Sequence, residues 1–240
     1  GQFFTPVPIT RFIISCLPIK EFIIEKIKGN ETQILPIAID YATGSGHFLT
    51  EYMDQVQTIL ENIDVTKAKP SARNNVKIWR NEYGKFQWAK EYVYGIEADY
   101  RLVKTAKVSL FLNGDGEAII IRADGLDNFS KSQNFKFKLK EVSKDNPKDN
   151  GQFDILISNP PYSVSSFKSN LQFGEESFEL YNRLTDNSSE IECLFIERAK
   201  QLLKVGGWAS IILPSSILSN IGIYTATREL VLKYFKLKGI

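Results

Sequence analysis

Residues 153–164 read FDILISNPPYSV, an apolar run that stops abruptly at Asn159-Pro160-Pro161-Tyr162. Proline lacks a backbone donor and fixes φ, so two in succession exclude a central strand or a helix interior. A strand over 153–158 must therefore end at about Ser158. Asn159 and Pro160 each precede a proline, which biases both toward extended geometry. The product is a stiff tetrapeptide at the carboxyl end of a buried strand, the edge at which open α/β sheets place their ligands. An ordinary strand-to-loop turn is the competing reading of these four residues alone.

The chain has 240 residues, 43% hydrophobic and 24% charged, enough for one large α/β domain with a sizeable core. Its formal net charge of +2 gives no whole-chain reason to expect nucleic acid. Local charge is more informative. Between residues 63 and 107 there are ten Lys/Arg against five Asp/Glu, among them Lys67, Lys69, Arg73, Lys77, Arg80, Lys85 and Lys90. Such an excess suits either a phosphate-facing surface or a solvated helical face. Cys16 and Cys193 are far apart, and no CxxC or Cys/His cluster exists, which suits a reduced, cytoplasmic compartment and argues against zinc. The longest early apolar stretch, residues 12–19, is short and contains Pro18, so neither a membrane span nor a signal peptide is expected. With Gly1 first and 236–240 reading as the start of a new strand, the sequence reads as a segment of a longer protein.

Periodicity outlines the rest. Helices are expected over 8–17 and 19–27, with a stop at Gly29-Asn30. Residues 33–40 (QILPIAID) read as a buried parallel strand despite Pro36, followed by a Gly-rich turn over 41–47 and a helix over 48–63. Residues 64–90 form a basic insertion with helical parts. A second strand is expected over 91–97, a helix over 100–112, a third strand over 118–122 and a loop over 129–151. After the fourth strand at 153–158, residues 163–189 are polar and expected to form a mobile, substrate-side loop, with local helix near 175–184. An amphipathic helix over 190–203 closes at Gly206-Gly207, a fifth strand spans 208–213, and a last helix spans 227–234. Strands alternating with helices imply a mostly parallel, twisted sheet with helices on both faces.

The turn Asp40-Tyr41-Ala42-Thr43-Gly44-Ser45-Gly46-His47 lets the backbone pass close beneath a ligand. It lacks the third glycine of a dinucleotide fingerprint, because residue 49 is Leu, and it is not a GxxxxGK[ST] loop. Tight chain packing alone remains an alternative. The second strand ends in Glu97, whose carboxylate can accept from the vicinal hydroxyls of a ribose. The third is followed by Asp124, which can accept from an exocyclic amine. Each acid singly could be a helix cap or a solvated side chain. Asp40, Glu97 and Asp124 at three successive strand tips together outline a site for an adenosine.

The ordered set GQFFTP (1–6), DYATGSGHFL (40–49), YGIEAD (94–99), RADGL (122–126) and NPPY (159–162) resembles adenine-N6 DNA methyltransferases. The likeness is to the modification subunits of type I restriction systems and their single-chain relatives, and it covers nearly the whole chain. It implies a Rossmann-like fold that binds S-adenosylmethionine and methylates the N6 amine of a flipped-out adenine in DNA. By the same resemblance Phe4, Thr5 and Pro6 close over the methionine part of the cofactor. Asp40, Ala42, Gly44 and Gly46 line its amino-acid end, Glu97 and Ala98 meet the ribose, Asp124 and Gly125 meet the adenine, and Asn159 borders the cofactor. Asn159, Pro160, Pro161 and Tyr162 are the expected catalytic residues. Tyr41, Thr43 and His47 depart from the usual Pro, Cys and Gly; His47 is read as a helix-start residue. Lys233 resembles part of a late helix of the family, and a later aromatic motif would fall beyond Ile240.

The chemistry of the tetrapeptide agrees with that implication. An exocyclic amine conjugated to a ring is a poor nucleophile, and two acceptors on its N–H bonds restore density at nitrogen. The Asn159 side-chain oxygen and the Pro160 carbonyl suit that task, with Tyr162 as a stacking face. No metal is required. The resemblance implies double-stranded DNA as a partner, and it leaves specificity and restriction subunits as further candidates. The same tetrapeptide would also serve methylation of a protein glutamine or an RNA base amine, and a non-catalytic DNA-binding subunit on the same fold is a further alternative.

Overall fold

The computed structural model describes residues 5–114, 118–144 and 150–240. The chain divides into two compact units, the first ending at Arg122 and the second running from Ala123 to Ile240.

The first unit begins with helices α1 (Val7–Ser15) and α2 (Ile19–Lys28), both of which pack on α3. Pro6 starts α1 as its N-cap, with its carbonyl accepting from the amides of Ile9 and Thr10. Strand β1 (Ala38–Asp40) is shorter than expected, because Pro36 cannot donate to a ladder and the chain pairs only beyond it. Helix α3 (His47–Asn62) follows the Gly-rich turn, with His47 as its first, exposed residue. The apolar residues of α3 that repeat at helical spacing, Leu49, Tyr52, Met53, Val56 and Leu60, are all buried.

The basic insertion folds back onto this core. It contains α4 (Pro70–Trp79) and leads into a short α5 (Ala89–Tyr92), with Ala72, Val76, Phe86 and Trp88 buried. Gln57 on α3 donates to the Trp79 carbonyl (2.9 Å) and accepts from the Trp88 indole (3.1 Å). Arg80 donates to the carbonyls of Leu60 and Ile63, closing the C-terminal end of α3. Strand β2 (Val93–Glu97), helix α6 (Tyr100–Leu112) and strand β3 (Ile119–Arg122) complete the unit. Its sheet has the order β3-β2-β1, and both pairings are parallel.

In the second unit, β4 (Phe153–Ser158) spans the expected residues and pairs in parallel with β5 (Leu203–Ile211). A short α7 (Gly174–Ser177) precedes α8 (Ile191–Leu202), every residue of which is buried except the half-buried Lys200. The expected closure of this helix at Gly206-Gly207 is corrected. The helix stops at Leu202 and β5 begins at once, running through both glycines. Between the pairs Phe153–Leu203 and Ile155–Trp208 the chain takes two steps along β4 and five along β5, so β5 bulges; Gly206 permits this with φ of +82°. Helices α9 (Ser216–Ser219) and α10 (Ile223–Tyr234) follow, α10 starting four residues before the expected 227. Residues 235–240 form no strand, contrary to the expectation for 236–240.

Candidate active site

In the first unit the parallel register builds the candidate nucleotide site. Asp40 pairs with Gly95 and Glu97 with Arg122, so Glu97 lies two residues further along than the end of β1. At about 3.3 Å per residue this carries its carboxylate over the turn that leaves β1. Glu97 is only 7% exposed. Its Oε2 accepts from the Gly44 amide and its Oε1 from the Asp99 amide, both at 2.8 Å. Asp99, rather than Glu97, is the N-cap of α6, accepting from the Arg101 amide. A carboxylate offers about four acceptor positions, so two backbone bonds leave capacity for a diol.

The turn itself is held from below. The Thr43 amide donates to the Ile96 carbonyl (2.9 Å), and the Thr43 hydroxyl to the Asp40 carbonyl (2.8 Å). The Asp40 side chain is fully buried and accepts from the Ala42 amide at 3.0 Å. Tyr41 is also buried; burial first, and then the Asp40 charge, push its hydroxyl pKa well up. Gly44 and Gly46 have φ of +56° and +88°. A methyl added at Gly46 would press on Ala106 of α6 at 3.4 Å, whereas one at Gly44 would meet nothing within 4 Å. Gly46 is thus a packing glycine, and Gly44 borders open space, which leaves room beside the Glu97 carboxylate for a bound group. Ala98 is exposed, Ala42, Gly44 and Thr5 are half-buried, and Phe4 lies outside the described residues.

In the second unit, exposed Asp124 accepts from the Leu126 amide (2.9 Å), which curls the chain after β3 and buries Gly125. Arg198 of α8 fixes this loop. Its guanidinium, 0% exposed, donates to the carbonyls of Leu126 (3.2 Å) and Asp127 (2.8 Å) and lies between the rings of Phe129 and Phe178. Burial pulls its pKa down to about 9, opposed by Asp124, Glu197 and Asp127. The nearby Asp127 carboxyl is shifted up, by burial and then by the Asp124 charge. Sequence reading did not find Arg198. The signal was a charge flanked at helical spacing by Leu194, Phe195 and Leu202, in a helix whose other charges lead an amphipathic reading to put it in solvent.

Asn159 to Tyr162 leave β4 without regular structure; Pro160 is buried, Asn159 and Tyr162 are half-buried and Pro161 is exposed. The amide of the next residue, Ser163 (φ +55°), donates to Glu192 of α8 at 3.2 Å. Beyond it, residues 163–189 contain short helical turns in place of the single local helix expected near 175–184. The later half is pinned. Glu197 accepts from the amides of Glu179 (2.6 Å) and Leu180 (3.0 Å), and Gln201 donates to the Ser177 carbonyl (2.7 Å).

No group of three or more His, Cys, Asp or Glu is gathered as a metal site among the described residues, and no described helix is long and apolar enough to cross a membrane. The sheet and its helices have counterparts in known methyltransferases. A methyltransferase subunit of a type I restriction-modification system from Streptococcus thermophilus is 16% identical, with a TM-score of 0.56 over 97% of this chain and 39% of that one. A protein assigned as a class I S-adenosylmethionine-dependent methyltransferase, from Listeria monocytogenes, is 18% identical, with a TM-score of 0.57 over 96% of this chain and 52% of that one. The fold is therefore that of the Rossmann-like class I methyltransferases. The profile of the Eco57I restriction-modification methylases matches residues 91–240, and the chain belongs to that family. It is also similar to the type II restriction enzyme and methyltransferase RM.Eco57I of Escherichia coli, 28% identical over 88% of this chain but only 23% of that protein.

Proposed function

We propose that this chain transfers a methyl group from S-adenosylmethionine to the N6 amine of an adenine flipped out of duplex DNA, as the modification activity of a restriction-modification system. The observation that carries the proposal is the Asn159–Tyr162 segment, which follows β4 without a gap and is stiffened by two prolines. Glu97 and the open face of Gly44 would hold the ribose and the amino-acid end of the cofactor, Thr5 and Pro6 would close over its methionine part, and Asp124 with Gly125 would meet its adenine. When bound, S-adenosylmethionine supplies the electrophilic methyl group on a sulfonium that is its own leaving group.

The chain's residues then have distinct tasks. The Asn159 side-chain oxygen and the Pro160 carbonyl accept the two N–H bonds of the target amine, raising density on nitrogen and stabilising the positive charge that grows there. Tyr162 offers a ring on which an extruded base stacks, a contact of roughly 1–3 kcal/mol. A base inside a duplex cannot reach such a group, so extrusion is part of the reaction. Alignment of amine and methyl supplies much of the rate, since well-oriented reactions gain on the order of 7–11 kcal/mol. Exposed Arg73, Lys77 and Lys85 on the insertion provide cationic surface for a DNA backbone, whereas Arg80 serves α3.

Asn159→Ala separates catalysis from cofactor binding. S-adenosylmethionine affinity should change by less than about 0.5 kcal/mol, while single-turnover methylation of an adenine-containing duplex should fall by roughly 100-fold or more. Methylation at the parental rate would show the clamp chemistry to be wrong.

A further inference from the structure

Glu192 lies at the start of α8, and its carboxylate is fully buried. One oxygen, Oε2, accepts from the backbone amide of Ser163, the residue directly after the Asn159–Tyr162 segment (3.2 Å). The other, Oε1, accepts from the phenol of Tyr224 on α10 at 2.8 Å. Tyr224 is itself within 3.4 Å of the Ser216 hydroxyl at the start of α9. Glu192 of α8 thus joins α10, through Tyr224, to the residue that follows the clamp, through its one backbone bond.

Ser163 is where that bond matters. Its φ of +55° is a conformation that residues with a side chain rarely adopt, and it turns the chain sharply after Tyr162. The Glu192 carboxylate holds the Ser163 amide in this orientation, beside a second restraint one residue on, where the Val164 amide donates to the Ser189 carbonyl at 3.0 Å. A buried carboxylate is a strong acceptor, and its own burial is made tolerable by the two donors it receives. We infer that Glu192, braced by Tyr224, is a positioning residue that sets the exit angle of the Asn159–Tyr162 segment and so holds its acceptors and ring in the reactive arrangement. Glu192 does not touch the substrate; it acts through Ser163.

The inference rests on the proposed clamp chemistry, and the test keeps the two apart. Glu192→Gln preserves shape but removes the charge from both bonds, and its single oxygen can keep only one of the two donors while its NH2 faces the other. It should lower single-turnover methylation about tenfold, in the range that small misplacements of reacting groups produce. Its affinity for S-adenosylmethionine should stay within about twofold and its KM for duplex should barely change, because groups outside the network contribute independently. Tyr224→Phe should give a smaller loss in the same direction. Adding Ser163→Gly to Glu192→Gln should restore at least about a third of the lost rate, since glycine adopts positive φ without help. A purely structural role for Glu192 predicts parallel losses in melting temperature and cofactor affinity, with no such recovery. The inference is overturned if Glu192→Gln and Tyr224→Phe methylate at the parental rate while Asn159→Ala does not, or if Ser163→Gly recovers nothing. Parental rates in all of these variants would overturn the clamp chemistry together with it.

Discussion

Glu97 offers the sharpest separation between a carboxylate that holds a ligand and one that only holds a loop. In the structure it does the second: both oxygens receive backbone amides at 2.8 Å, from Gly44 across the turn and from Asp99 beside it. The proposed function asks it to do the first as well. In Glu97→Gln the amide oxygen retains one of these donors, and the NH2 faces the other. One hydrogen bond to a charged acceptor is lost, about 1.5–3 kcal/mol. For a chain of this length that should lower the melting temperature by about 3–12 °C. Loss of a charged partner for the ribose should weaken S-adenosylmethionine binding by a comparable energy, about 10- to 150-fold in Kd. A 2′-deoxy analogue of the cofactor isolates the second effect. Parent protein should bind the analogue more weakly than the natural cofactor, and Glu97→Gln should bind the two nearly alike. Calorimetric titration of both ligands against both proteins forms a double-mutant cycle. Equal losses for the two ligands in Glu97→Gln would mean that the residue supports the Gly44 turn and nothing more.

Arg198→Lys keeps the charge but cannot reach two carbonyls from one flat group between two rings. It should cost about 1–3 kcal/mol in urea denaturation and accelerate amide exchange at Leu126 and Asp127. Asp127 titrates with the opposite sign to a salt-bridged acid. Its folded pKa is raised, so its contribution favours the fold most below the unfolded value near about 3.9 and is lost as pH rises through the folded value. Asp127→Asn should therefore raise the melting temperature at pH 7, with the difference vanishing at about pH 3. If the difference is unchanged across that range, the carboxyl is not carrying it. Within 163–189, amide exchange should be faster over 165–170 than at Leu180, whose amide is bonded to buried Glu197; uniform rates along the segment would contradict this division.

Local rules sufficed wherever a residue type leaves the backbone little choice. Two prolines end β4 at Ser158, glycines at 44 and 46 take positive φ, and the apolar spacing of α3 places its buried face. They also set Glu97 at the tip of β2 and the Gly-rich turn after β1, because a strand's end and a turn's composition are properties of a few adjacent residues. What the sequence could not determine depends on partners far along the chain. That Glu97 meets Gly44 follows from the register of β1 against β2, which separates the two by 53 positions. Glu192, Glu197 and Arg198 sit in a helix that reads as amphipathic, and only packing shows it to be buried. A charge there is tolerated because a backbone amide, a phenol or a carbonyl arrives from another element to meet it. The bulge in β5 likewise answers to β4 and not to Gly206-Gly207 alone. Periodicity records how a segment faces water on average; the donors and acceptors that let a buried charge hold a loop come from elements that only the tertiary structure brings together.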